Sequence, residues 1–99
     1  MRRPEVSIVL PTWNRLPLLR RAVDSVLAQT HRDFELIVAD DGSTDGTRDY
    51  LEAIEDRRVR PIWLEHRSDL TSARSAGLRH VRGEWVAFLD SDDLWLPEK

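Results

Sequence analysis

Three carboxylates, Asp90, Asp92 and Asp93, follow directly on the apolar run Trp85-Val86-Ala87-Phe88-Leu89. Gathered at a strand end they repel one another, and a positive partner would relieve the repulsion. Two carboxylates separated by one residue can converge on a hard divalent cation through oxygen ligands, and Mg²⁺ or Mn²⁺ commonly bridges such a pair to substrate phosphates. An Asp-x-Asp also serves simply to end a strand and cap the turn that follows, here Leu94-Trp95-Leu96, because Asp is at home in loops. A calcium loop of the EF-hand type is excluded, since neither Gly nor a terminal Glu stands at the required offsets.

A second acidic pair stands in Asp40-Asp41-Gly42-Ser43. Asp-Gly is a turn pair and Ser43 suits a helix cap, which explains most of the stretch structurally. Left over is a second carboxylate able to accept hydrogen bonds from a nucleobase or ribose. Arg74 carries a guanidinium suited to a diphosphate, or is a surface arginine like most. Trp13 can stack on a base or pack against a helix. His31, His66 and His80 lack metal-ligand spacing and read as surface or loop residues, and Trp63, Trp85 and Trp95 as core and rim packing.

These residues need a scaffold, and the hydrophobic pattern supplies one. Val6 to Leu10 is a short β-rich run stopped by Pro11, the first strand. Leu19, Ala22, Val23, Val26 and Leu27 recur at helical spacing, with Pro17 suited to that helix's first turn. Phe34 to Ala39 is a second strand. Ser43 or Thr44 then caps a helix with Tyr50, Leu51 and Ile54 as its buried stripe. A third strand falls around Val59 to Leu64, with Pro61 marking it as an edge. Thr71 to Val81 forms a helix whose small residues Ala73, Ala76 and Gly77 meet the sheet, and Glu84 to Leu89 is the last strand.

The β-α-β-α-β-α-β alternation predicts an α/β layered, Rossmann-like fold with a mostly parallel sheet, of order 3-2-1-4 if the first three units wind outward and the fourth strand returns to the other side of the first. Ligands of such sheets bind outside the carboxyl ends of the strands, where the winding reverses. Pro11-Thr12-Trp13-Asn14, Asp40-Asp41-Gly42-Ser43 and Asp90-Ser91-Asp92-Asp93 all fall at that rim.

Composition bounds the rest. The 99 residues make one domain with an ordinary apolar share of 40% and a net charge of −3. Without Cys there is no disulfide, thiolate metal site or cysteine nucleophile. Arg2-Arg3 and Arg57-Arg58-Arg60 are short clusters in an acidic chain and read as solvated surface, so no nucleic-acid partner is expected. Apolar stretches of about five residues fall far short of a membrane span, and no apolar signal segment follows Met1-Arg2-Arg3, so a soluble segment is expected.

The segments "VSIVLPTWNR", "AVDSVLAQTHRDFELIVADDGSTDGT", "SARSAG" and "GEWVAFLDSDDLWLPEK" together resemble the nucleotide-binding half of an inverting glycosyltransferase of family 2, with the GT-A fold. They cover nearly the whole chain in the family's order. The resemblance implies that Pro11 and Trp13 line the pocket for uridine or another base, with Thr12 and Asn14 shaping the loop. It implies that Asp41 binds the base and Arg74 approaches the phosphates. Asp90 and Asp92 would be the ends of the family's D-x-D motif, with Asp92 the direct ligand of Mg²⁺ or Mn²⁺, Asp90 or Ser91 nearer the ribose, and Asp93 supporting. Two departures concern the phosphate side: His66-Arg67-Ser68 stands where the family often has Asn-x-Gly, and the Ala-Arg-Asn triplet ends here in Ser75.

The resemblance further implies transfer of a sugar from a nucleotide-sugar, a UDP-sugar first among the candidates, to an acceptor hydroxyl of a saccharide, lipid or protein. It implies a cytoplasmic location, including the cytoplasmic face of a membrane, and a role in polysaccharide biosynthesis. The family's catalytic base is expected beyond Lys99. Residues 1–99 are thus expected to be a single donor-binding domain truncated at its C-terminus, with apolar surface beside the fourth strand open to self-association. Two rivals remain: a haloacid-dehalogenase-like phosphatase using the first Asp of D-x-D as nucleophile, and a non-catalytic nucleotide-binding or scaffold module.

Overall fold

The computed structural model describes residues 4–29, 33–66 and 70–89. Seven elements follow one another: β1 (Val6–Thr12), α1 (Leu16–Leu27), β2 (Phe34–Asp40), α2 (Thr47–Glu52), β3 (Val59–Trp63), α3 (Leu70–Leu78) and β4 (Trp85–Phe88). All strand pairs are parallel and the order is β3-β2-β1-β4, the expected 3-2-1-4. The winding therefore reverses between β1 and β4. Among the described residues no helix is long and apolar enough to cross a membrane.

The core lies under one face of the sheet. Ile8, Leu10, Leu36 and Val38 meet Leu19, Ala22, Val23 and Val26 of α1 there, all buried. On the opposite face α3 packs over β1 and β2 through its small residues, as expected. A Cβ on Gly77 would stand 2.5 Å from Cγ1 of Val9, so only glycine lets the helix come this close.

Several local expectations are corrected. Pro11 does not stop β1 but lies inside it, opposite Ala39, with Thr12 as the last strand residue. Backbone groups alternate sides along a strand, and the Val9 carbonyl accepts from Leu89 on the β4 side. Pro11 therefore turns its missing N–H to that same side, past Phe88, the last β4 residue in the ladder. Pro61 follows the same logic on β3, an edge strand as predicted. The Leu64 amide and the Arg58 carbonyl face β2, so Pro61 faces outward and costs no ladder bond.

Neither Ser43 nor Thr44 caps α2, because both are engaged with the loop after β1. Asp45 does that work instead, accepting from the Thr47 amide and hydroxyl and, through its other oxygen, from the Leu16 amide at the start of α1. One carboxylate thus serves the first turns of two helices. Burial would raise the Asp45 pKa, but these hydrogen bonds outweigh it and hold it below the usual value. Ile54 falls just outside α2, which ends at Glu52. Trp85 is not a packing residue: it is 63% exposed, and Val86 and Phe88 of the same strand are exposed with it. Trp63 is half-buried under the Arg48 guanidinium, while Trp95 lies outside the described residues.

Candidate functional site

The carboxyl ends of β1 and β2 are laced together by side chains. Asn14 adopts a left-handed backbone (φ 47°), which asparagine tolerates well, and its Oδ1 accepts from the Thr44 amide at 2.7 Å. The Asn14 amide donates to the Ser43 hydroxyl at 2.9 Å, and that hydroxyl in turn donates to Asp40 Oδ1. The Asp41 amide donates to the Thr12 carbonyl at 2.9 Å, carrying the β1–β2 pairing one residue past the ladder. The rim is thereby fixed before any ligand arrives.

The two neighbouring carboxylates have different surroundings. Asp40 is buried, and burial pushes its pKa up; hydrogen bonds from Ser43 oppose the rise, and the charges of Asp45 and Asp41 add to it. Asp41 has a side chain only 3% exposed, yet it borders a cleft of about 470 Å³. The cleft opens between the end of β3, at Leu64 and Glu65, and α3, at Ser72 and Ser75, with Arg79 just past that helix. A buried acceptor aimed at a cavity is the arrangement by which a polar group of a ligand is recognised.

His66, beyond the end of β3, completes this region. Its ring stacks on Trp13 with centroids 4.4 Å apart and planes 12° from parallel. Its Nδ1 lies 3.0 Å from both the backbone oxygen and Oδ2 of Asp41. Both are oxygen acceptors, so Nδ1 is the nitrogen that carries the hydrogen. Gly42, at φ 71°, approaches the backbone of His66 so closely that a Cβ there would lie 2.9 Å from its nitrogen.

The expected site residues are thus distributed as follows. Thr12, Trp13, Asn14 and Asp41 gather at one rim, with Pro11 and Thr12 buried in β1 and Trp13 half-exposed. Among the described residues, Thr12 Oγ1 is buried without a hydrogen-bond partner. Arg74 is half-buried on α3 and does not line the cleft, whereas its neighbour Ser75 does. Asp90, Ser91, Asp92 and Asp93 lie outside the described residues. Among the described residues no group of three His, Cys, Asp or Glu side chains is placed to hold a metal. His66 and Ser75 figured in the sequence only as departures from the family pattern, His66 otherwise as a surface or loop residue, and Ser72 was given no role. The signal for His66 was its place directly after a strand, on the same rim as Asp41.

Comparison with known proteins bears on this rim. The family model for glycosyl transferase family 2 matches residues 7–99. A UDP-Glc:α-D-GlcNAc-diphosphoundecaprenol β-1,3-glucosyltransferase of Escherichia coli, WfgD, is 37% identical over 95% of the chain. TarS of S. aureus, solved in complex with UDP-GlcNAc, superposes with a TM-score of 0.88 and 28% identity over 94% of the chain. A mannosyltransferase of Pyrobaculum calidifontis, solved with GDP-Man and Mn²⁺, does so with a TM-score of 0.82 and 33% identity over 96%. The chain spans 37%, 28% and 29% of the lengths of these three proteins.

Proposed function

This chain belongs to glycosyl transferase family 2, and on that premise we propose that it binds the nucleoside diphosphate of a sugar donor, a UDP-sugar, at the carboxyl rim of its GT-A sheet. The observation that carries the reading is Asp41: an almost wholly buried carboxylate bordering a cleft at the end of β2, with the His66 ring on it and the Trp13 indole stacked on that ring. Asp41 accepts an N–H of the base and Trp13 offers a face for its ring. Pro11, Thr12 and Asn14 hold the loop that presents Trp13, and Arg74 steers the diphosphate. The TarS complexes with UDP and UDP-GlcNAc support a uridine donor.

In the protein to which this chain contributes, an acceptor hydroxyl attacks the anomeric carbon opposite the diphosphate. The new C–O bond forms as the bond to the diphosphate breaks, which inverts the configuration. Mg²⁺ or Mn²⁺ would be held by Asp92 and Asp90, with Ser91 beside the ribose, and when bound it offsets the charge left on the diphosphate. The oxygen-only chemistry of those side chains fits a hard divalent ion, and the Pyrobaculum mannosyltransferase complex with Mn²⁺ supports the choice. No residue of this chain is assigned as the base that deprotonates the acceptor. The phosphatase reading is set aside, because its Asp-x-Asp belongs after the first strand of the sheet rather than the last.

On edge strand β4, Trp85 is exposed on one face and Val86 and Phe88 on the other, and through this apolar edge the chain self-associates. Sedimentation tests this, and a monomer at high concentration contradicts it. For the donor site, calorimetry with UDP, GDP and dTDP, each with and without Mn²⁺, is expected to show UDP binding strengthened by the metal. Asp92→Asn should remove that metal dependence and keep the fold. Absence of binding to all three nucleotides in a folded sample would instead support a scaffold role.

A further inference from the structure

His66 already makes both contacts that the base reading assigns to Trp13 and Asp41. It is a planar aromatic ring lying on the indole at 4.4 Å, and it presents an N–H to Asp41 Oδ2 at 3.0 Å. A nucleobase that stacks on this face of Trp13 and donates to this carboxylate has to stand where the imidazole stands. The His66 side chain is 36% exposed, and a turn about the Cα–Cβ bond moves the ring without disturbing the backbone and Cβ that Gly42 abuts.

We propose that His66 is an internal occupant of the base site, held by Trp13 and Asp41, that a donor's nucleobase must displace. This rests on the base-site reading above and deepens it. While it is in place, the imidazole keeps a buried acceptor satisfied and an exposed indole face covered. Its cost is affinity, because the donor meets a competent site only in the fraction of molecules whose ring has swung out.

Replacing His66 by Ala removes the competitor and preserves the Cβ that Gly42 abuts. UDP, followed by calorimetry, is expected to bind at least about fivefold more tightly to His66→Ala, since two weak contacts must be broken and each contributes on the order of 1 kcal/mol. His66→Asn should shift binding in the same direction. In the unaltered chain, the ring protons of His66 are expected to carry an upfield shift from Trp13 and to lose it as UDP saturates the site. Unchanged or weaker binding by His66→Ala and His66→Asn overturns the proposal, and so does an upfield shift that persists at saturation.

Trp13→Ala separates this from the base reading itself. If Trp13→Ala weakens UDP binding while the His66 variants fail to strengthen it, displacement is wrong and the base site stands. If Trp13→Ala leaves UDP binding unchanged, or the unaltered chain binds no UDP, both fall together.

Discussion

Strand β2 carries a buried carboxylate near each of its ends, and the two are treated in opposite ways. Glu35, at the amino end, has a side chain 3% exposed and is surrounded by donors. It accepts from the Ser7 hydroxyl, from Arg60, and from the amide and guanidinium of Arg82, while Ser7 Oγ also accepts from the Gly83 amide. Burial would raise its pKa, but this set of donors prevails and holds it below the usual range. Asp40, at the carboxyl end, has its pKa raised by burial, which the Ser43 hydrogen bonds do not overcome.

The difference separates structure from function. At the amino rim Glu35 ties β1, β2, β3 and the turn before β4 into one network that takes up its acceptors, beside a cleft of about 270 Å³, smaller than the one at the carboxyl rim. At the carboxyl rim Asp40 feels the charges of Asp41 and Asp45, and Asp41 meets a cleft. A saturated buried carboxylate holds the fold, whereas Asp41, next in sequence to the perturbed Asp40, borders the cleft.

The comparison can be broken most forcefully at Glu35. Glu35→Ala leaves Ser7, Arg60 and Arg82 facing an empty position, and should cost about 3 kcal/mol of stability by urea denaturation. UDP affinity per folded molecule should not change; a loss of affinity equal to that caused by a rim variant would erase the distinction between the two ends. Next comes Gly77→Ala, which sets a methyl against Val9 and should cost about 2 kcal/mol by the same measurement. It should also widen the cleft, because α3 forms one wall. Asn14→Ala removes the link to Thr44 and should cost about 1 kcal/mol, with UDP binding weakened as the loop carrying Trp13 loosens.

The smallest effect distinguishes the two carboxylates directly. The folded pKa of Glu35 lies below 4.5, so its stabilisation is complete above that value and is lost as pH falls through the folded pKa. The folded pKa of Asp40 lies above 3.8, so between 3.8 and that pKa the folded state holds more proton and acidification favours it. In urea midpoints followed from neutral to acid pH, Glu35→Gln should therefore blunt the acid loss, and Asp40→Asn should steepen it. Parallel curves for the two variants would contradict the assignment.

Much of the scaffold was legible because it depends on local pattern. Periodicity located every element, the alternation of types gave a parallel α/β sheet, and the 3-2-1-4 order followed once the fourth strand was taken to return beside the first. The small residues of α3 announced its close approach to β1. What could not be read were contacts between side chains distant in sequence. Glu35 stands inside the apolar run Phe34 to Ala39, where a charge signals a partner but does not name Arg60 or Arg82. The contact of His66 with Asp41 and Trp13 likewise joins three strand ends, and no spacing rule reaches across them. Pro11 was misread for a related reason: whether proline ends a strand depends on which neighbour its nitrogen faces.

The central claim is that Asp41 receives the nucleobase. Calorimetric titration of UDP into the unaltered chain and into Asp41→Asn tests it, since the amide keeps the shape but replaces one acceptor oxygen by a donor. Affinity should fall at least about tenfold with the fold intact by circular dichroism, as expected when a buried charged hydrogen bond is lost. Equal affinity in the two folded proteins would place the base elsewhere.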